Sequence, residues 1–484
     1  MAKDYNLIFL IGILAAVFFF ATYQLAESPH TWYDEGAIIQ RAINFLHYGT
    51  MHYQMAPGQF SSAVFDSTGY PVIYPISLAF KYFSIGLLQA RAVMAVFILL
   101  LVLTFYFLIK KTAGFFSAAA ATLLLGTFPP LYGNGKNVLG EIPGLFFLFS
   151  FLFCLYYLEK TNFRNKWLLI LGGLSAGLCL ATKPAFLVLL PALAIALLVF
   201  KKKEAWNLSV GKYFLPAISA PLILFIYTQF MPTDSFEKVF SFYRNPYNLT
   251  DLPSLMLQNF LRFFTEATPV YFGIFFLVWL IALALRLKVD KKQVSLSEGV
   301  AFLFAALFFL AYLRTPGWYR YFFLSHVLAL VYFPFSLSYL LARFAGFLSQ
   351  RIKLAIMIAL SAVLAIFQLY LLGFNSWVAN YYGHTTSQNL KNYFDNFDAD
   401  KTVFVYDVPQ ILTFLPNKNY YQYLSMNNTG LYEVGAEQIL VIKEGAPDII
   451  ILSADEENLE ERFPRYRLAD RVAGYLLLEK IQFD

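Results

Sequence analysis

Charge is scarce in this chain. Asp, Glu, Lys and Arg make up 14% of its 484 residues, against about 25% in an average soluble domain. So few charged side chains cannot coat a surface in water, which excludes a soluble globular protein, and 59% hydrophobic residues exclude a disordered one. Cysteine is almost missing: Cys154 and Cys179 each lie in an apolar run, so neither a disulfide framework nor a Cys-based metal centre is available. The five histidines form no zinc constellation, and His47 and His52 read as ordinary polar loop residues. Glycine-rich phosphate loops, internal repeats and low-complexity runs are lacking, and no nucleic-acid partner is expected.

What the chain has instead is apolar length. Mean hydropathy is +0.58, and a bilayer core of about 30 Å is crossed by roughly 20 apolar residues. On that ruler spans are predicted near 5–25, 90–109, 113–131, 141–158, 166–182, 184–200, 212–230, 267–287, 297–313, 319–341 and 352–373, about eleven in all. The first is too long for a secretory signal and lacks a clean small-residue cleavage site, so it reads as an uncleaved helix. The apolar stretch 70–88, broken by Pro71, Pro75 and Lys81, reads as a partly embedded or interfacial helix.

Charge is also unevenly placed. Through Phe374 the chain carries a net +13, and beyond it −7. Lys110, Lys111, Lys160, Arg164, Lys166, Lys201, Lys202, Lys203, Lys212, Arg286, Lys288, Lys291, Lys292, Arg343, Arg351 and Lys353 all fall in alternate turns. By the positive-inside bias those turns are cytoplasmic, as is the N-terminus. An odd span count then puts the acidic tail outside. Two units are expected: a membrane part, 1–374, and an extracytoplasmic α/β domain, 375–484. In the latter, 402–406, 447–452 and 473–479 read as strands and 455–461 as a charged helix start. The sequons at Asn248 and Asn427 carry no weight without knowledge of the host.

The outer side holds the unusual residues. Trp32-Tyr33-Asp34-Glu35-Gly36 places two acids directly after the first span; such a pair also simply complements a helix dipole. Glu141, in Gly140-Glu141-Ile142-Pro143, heads an apolar helix, where a carboxylate is costly unless paired or solvated. Lys183, in Thr182-Lys183-Pro184, defies the positive-inside bias, so either an anion holds it or it snorkels to headgroups. Arg314 and Arg320 flank Thr315-Pro316-Gly317-Trp318-Tyr319, and Tyr321 follows. Arginine forks match phosphate oxygens, of a substrate or of a lipid headgroup. With Arg91 and Lys136, these residues gather acids and cations on one surface. That set suits attack by a hydroxyl or amine on a sugar whose leaving group is a lipid phosphate.

Taken in order, these motifs resemble the GT-C glycosyltransferases that use polyprenyl-phosphate sugars. Among these are the dolichyl-phosphate-mannose protein mannosyltransferases and the bacterial aminoarabinose transferases acting on lipid A. Asp34-Glu35 matches the family's acidic motif in the first outer loop, and Gly69-Tyr70-Pro71 through Pro75 its Pro-rich closing segment. Glu141 matches a second outer acid. Gly172-Gly173 through Lys183-Pro184 and Arg320-Tyr321 with Pro334 match its later cationic segments. The resemblance implies an inverting transfer from a polyprenyl-phosphate-linked donor to a lipid, glycan or protein acceptor. Asp34 would be the base, Glu35 and Glu141 catalytic partners, and Lys183, Arg320, Tyr321, Arg314, Arg91, Lys136 and Tyr70 substrate-binding residues. No cofactor is assigned, although paired carboxylates are compatible with Mg²⁺ or Mn²⁺. Glu141 sits in a Gly-Glu-Ile-Pro context that many relatives lack. The tail has no Trp-Trp-Asp acceptor motif, which argues against en-bloc Asn glycosylation. The competing reading is a polytopic lipid or sugar transporter or flippase, against which stand the missing paired repeats.

Overall fold

The computed structural model describes residues 2–61, 68–200, 205, 207–230, 250–290, 294–426 and 432–481. Lys201, Lys202, Lys203, Lys291, Lys292 and the sequon residues Asn248 and Asn427 lie outside the described residues. The chain is mostly helical through Phe374: α1 (Ala2–Thr22), α2 (Tyr33–Tyr48), α3 (Tyr70–Phe83), α4 (Leu87–Ala113), α5 (Phe115–Gly126), α6 (Pro129–Gly135), α7 (Glu141–Lys160), α8 (Lys166–Thr182), α9 (Leu189–Val199), α10 (Leu215–Phe230), α11 (Leu252–Thr265), α12 (Ala267–Ala284), α13 (Leu296–Tyr312), α14 (Phe323–Phe344) and α15 (Gln350–Phe374).

Six helices among the described residues are long and apolar enough to cross a membrane. A bent pair makes a seventh candidate, so eleven full-length spans are not what length and composition give. The pair replaces the single span expected at 113–131: α5 and α6 meet at a 57° bend. The cause is local. Pro129 and Pro130 lack the N–H that would continue the helix, but fit the first turn of a new one. Four other expected spans are shorter apolar helical stretches: Asn6–Thr22 within α1, Lys166–Thr182, Pro184–Val199 and Leu296–Tyr312. The segment from Tyr70 forms α3, with Pro71 in its first turn and Pro75 tolerated inside.

After Phe374 come α16 (Thr386–Phe394), β3 (Val403–Tyr406), β4 (Tyr420–Met426), β5 (Tyr432–Val434), α17 (Ile439–Glu444), β6 (Ile449–Ser453), α18 (Leu459–Arg462), β7 (Tyr466–Val472) and β8 (Tyr475–Lys480); β1 (Tyr53–Ala56) and β2 (Gln59–Ser61) form a small hairpin in the first loop. The sheet order is β5-β4-β3-β6-β8-β7, parallel at β3/β4 and β3/β6 and antiparallel elsewhere. Side chains alternate between two cores: Val403, Val405, Ile449 and Ile451 on one face, Phe404, Ile450 and Leu452 on the other. The charged helix expected over 455–461 is the single turn α18.

The sheet unit is pressed against α2. Gly36 lies so close to the turn 409–413 that a Cβ there would sit 2.1 Å from Gln410 Cα. The glycine is a packing requirement. Gln40 Nε2 donates to Gln422 Oε1 (2.6 Å) and to the Tyr420 hydroxyl (2.9 Å). The opposite face of α2, with Ile38, Ile39 and Ala42, joins the core of the helical part.

Candidate active site

The neighbours Asp34 and Glu35 stand in the first turn of α2, where the helix dipole favours both. About 100° apart around the axis, they have different surroundings. Glu35 is fully buried. Its carboxylate accepts Arg91 Nε and Nη2 (both 2.7 Å) and the Val138 amide (3.1 Å). Arg91 spends its remaining donors on Asn137 Oδ1, Leu25 O and Pro29 O (2.9 Å each), so all five of its N–H groups are used. This closed node binds the ends of α1 and α4 to the loop before α7. Neither Glu35 nor Arg91 faces the cavity described below.

Asp34 is half exposed and forms an ion pair with Arg320. The guanidinium also stands over Trp32 (5.4 Å), Trp318 (5.3 Å) and Tyr321 (5.0 Å), and donates to the Tyr321 hydroxyl (3.0 Å). Its Nε is buried without a hydrogen-bond partner among the described residues. The turn that carries Arg320 depends on Gly317, whose positive φ of 84° avoids strain. Asn259 and Arg262 of α11 grip that turn through the carbonyls of Leu313, Thr315 and Gly317.

Glu141 opens α7 and accepts Lys183 Nζ at 2.6 Å. Its other oxygen, Oε2, is buried and unpartnered among the described residues. The pair forms because Gly140 packs on the Thr182 carbonyl, 3.1 Å from where a Cβ would be, at the end of α8. Gly69 donates its amide to that same carbonyl (3.0 Å), which brings Tyr70 and the start of α3 alongside. Asp34 and Glu141 both act electrostatically on the Arg320 guanidinium. The structure thus brings two carboxylates and two cations into one neighbourhood.

A cavity of about 600 Å³ opens here, lined by Trp32, Tyr33, Asp34, Asn134, Trp318, Tyr319, Arg320 and Trp377. Three tryptophans from distant segments wall it, and Trp32 meets Trp377 with ring centroids 4.8 Å apart. Trp377 was not expected. It lies beyond the last membrane helix, in a segment fastened to the first loop by Ser28 Oγ on Val378 O (2.6 Å) and by His30 stacked on Tyr381. Tyr319 owes its position to His326, whose Nδ1 is 3.1 Å from its hydroxyl.

Other predicted binding residues lie elsewhere. Lys136 is fully buried, donating to Tyr23 O (2.7 Å) beneath the Tyr382 ring. It ties α1 to the tail instead of lining the cavity. Arg314 is exposed at the end of α13, and Tyr70, half buried beside the Glu141–Lys183 pair, does not line the cavity. Among the described residues no three His, Cys, Asp or Glu side chains gather in a group that could hold a metal.

Residues 47–234 match the family model described as dolichyl-phosphate-mannose-protein mannosyltransferase. No curated protein matches the chain in sequence. Among solved structures, ArnT from Cupriavidus metallidurans in the apo state is 11% identical, with a TM-score of 0.63 and 99% of both chains covered. Its complex with undecaprenyl phosphate gives 12% and 0.61 at the same coverage. The oligosaccharyltransferase AglB from Archaeoglobus fulgidus, in complex with an inhibitory peptide and a dolichol-phosphate, is 13% identical with a TM-score of 0.53, covering 95% of this chain and 70% of that one. At these identities the structures show the shared fold. The chain resembles the GT-C glycosyltransferases that use polyprenyl-phosphate sugars, in sequence across residues 47–234 and in fold along its length.

Proposed function

We propose that this integral membrane protein is a glycosyltransferase that moves a sugar from a polyprenyl-phosphate-linked donor to a lipid, glycan or protein acceptor, with inversion and with Asp34 as base. The observation that carries the reading is Asp34 on an aromatic-walled cavity, paired with Arg320 and close to Glu141–Lys183. The family match agrees with it and does not favour a transporter or flippase.

The chemistry follows from partner exchange. A lipid phosphate entering beside Arg320 and Lys183 competes with the carboxylates for them, and Arg320 Nε has no partner among the described residues. Asp34, released from its pair, takes the proton of the acceptor hydroxyl. The acceptor oxygen bonds to the anomeric carbon as the carbon–oxygen bond to phosphate breaks, and the electron pair leaves with the lipid phosphate. The cations stabilise that charge as it develops. Tryptophan faces suit the apolar side of a sugar ring. Glu141 holds Lys183 in place. The reading needs no cofactor, since each carboxylate already has a protein cation against it.

For the architecture, we read the four shorter apolar helices as crossing too, giving eleven spans, with the unit boundary at 374/375. The basic turns are then cytoplasmic, and the cavity and sheet unit face the other side. In support, the Tyr156 hydroxyl bonds Lys111 O (2.9 Å) at the basic end of α4 and α7, while Glu35, Arg91, Glu141 and Lys183 meet at the other ends of those helices. A cysteine at exposed Lys391, in a chain lacking Cys154 and Cys179, labels with an impermeant thiol reagent in intact cells; labelling only after permeabilisation reverses the orientation. The functional test is the release of free polyprenyl phosphate by purified protein from a panel of polyprenyl-phosphate sugars, followed by mass spectrometry. A panel with no turnover on any acceptor class removes the reading.

A further inference from the structure

The face that α2 turns toward the sheet unit is a helical stripe: Tyr33, Gly36 with Ala37, and Gln40, at spacings of three, four and seven. Each position has its own contact. Gln40 bonds Gln422 and Tyr420, and Gly36 abuts the Gln410 backbone. Ala37 packs with Tyr53, Met55 and Leu424. Tyr33 donates its hydroxyl to Asp407 Oδ1 at 3.1 Å. Of these residues only Tyr33 also lines the cavity, and its next neighbour in the chain is Asp34.

Asp407 is built for a fixed task. It closes β3 in the left-handed region at φ 54°, which Asp and Asn tolerate better than other side chains. The same Oδ1 also accepts the Ser425 amide at 2.7 Å. We propose that the sheet unit is a positioning part of the active site, in which Asp407 holds Tyr33 and through it aims Asp34 into the cavity. This rests on the reading of Asp34 as the base.

The contact is also placed to respond to pH. Burial, with Glu456 and Glu433 nearby, pushes the Asp407 carboxyl up to about 6, against the opposing bonds from Ser425 and Tyr33. The other ionisable groups around it are Tyr406 on β3, Tyr423 on β4 and Arg462, which pairs with Glu456 and bonds Tyr406. Burial and the Asp407 carboxylate raise the Tyr33 phenol well above its usual range, so it stays a donor. Above about pH 6 the bond is charge-assisted; below it Asp407 gains a proton and the grip weakens.

The test is a double-mutant cycle in the full-length protein, read as polyprenyl phosphate release. Asp407→Gly removes the carboxylate without straining the positive φ, and Tyr33→Phe removes only the donor. Each is expected to lower kcat on the order of tenfold, with donor KM within about twofold of wild type, and the double variant is no worse than the weaker single. Asp407→Asn keeps an acceptor oxygen and the backbone conformation. As an uncharged acceptor it stands in for protonated Asp407, so kcat is expected to sit at the wild-type low-pH level, above that of Asp407→Gly, and the low-pH fall centred near 6 is abolished. Losses that multiply in the double variant, or an unaltered low-pH limb in Asp407→Asn, overturn the proposal. A wild-type protein with no transfer overturns the functional reading instead, so the two failures are distinct.

Discussion

The two ends of the helical part hold the same chemical unit in different settings. Near the basic turns, Arg286 pairs with Glu298, stands over Phe335 (4.7 Å) and Tyr339 (5.7 Å), and shares its carboxylate with Trp279 Nε1 (3.2 Å). At the other end Arg320 pairs with Asp34 among Trp32, Trp318 and Tyr321. The first pair is 7% and 6% exposed and borders a void of about 120 Å³. The second is 15% and 42% exposed and opens on about 600 Å³. An arginine–carboxylate pair walled by aromatics is therefore not itself a site. What separates them is room for a ligand and an arginine Nε without a partner among the described residues at one end, against a pair whose every arginine nitrogen is bonded, linking α12, α13 and α14, at the other.

The sharpest way to break that contrast is to remove one charge at each end. Asp34→Asn should cost a factor on the order of 10²–10⁴ in turnover with unchanged detergent-solubilised stability, because an amide cannot take a proton. Glu298→Gln should do the reverse: stability falls by about 3–5 kcal/mol when a buried pair is broken, while the activity of each folded molecule stays at wild type. Equal activity losses at both ends would erase the distinction.

Glu35→Gln sharpens the comparison inside the site end. The substitution leaves Arg91 with an uncompensated buried charge, so a loss of about 3–5 kcal/mol in thermal unfolding is expected. A folded Glu35→Gln protein with only an acceptor-affinity defect would instead move Glu35 into the cavity chemistry. A smaller effect is expected from Arg320→Lys, about 1.5–3 kcal/mol in donor kcat/KM for a lost charge-assisted bond, since a point charge cannot replace a fork seated among three rings. Arg314→Ala should be smallest, within about 0.5 kcal/mol by either stability or kcat/KM, because its side chain is exposed and away from the cavity. A tenfold activity loss there would place it in the site.

Much of this was legible in the residues, for reasons that also explain the gaps. Apolar runs mark helices well, because a helix in lipid must satisfy its own backbone; they do not mark where one breaks, which Pro129-Pro130 decides at the α5–α6 bend. The motif at Asp34-Glu35 marks a special turn but not its division of labour. That depends on Arg91 and Asn137, which nothing local ties to Glu35. Lys183 and Glu141 are each conspicuous as charges in apolar surroundings, and their pairing is a property of the packed Gly140. Trp377 carries no signal, because a tryptophan just past a membrane helix reads as a belt residue. In the tail, the Val- and Ile-rich strands β3 and β6 stand out, while the polar edge strand β7 does not.

The sheet unit's hold on α2 has a consequence for how the protein comes into being. Ser28 waits for Val378, Tyr33 for Asp407 and Gln40 for Gln422, partners separated by 350, 374 and 382 residues. A ribosome emits the acids early and the wall made by Trp377, with the clamp made by Asp407, only after the last membrane helix has passed. Throughout insertion the nascent chain therefore carries Asp34 and Glu141 without the complete wall of the cavity. A chain that ends before Trp377 holds the Asp34–Arg320 and Glu141–Lys183 pairs but lacks one wall of the cavity and the Asp407 clamp on Tyr33.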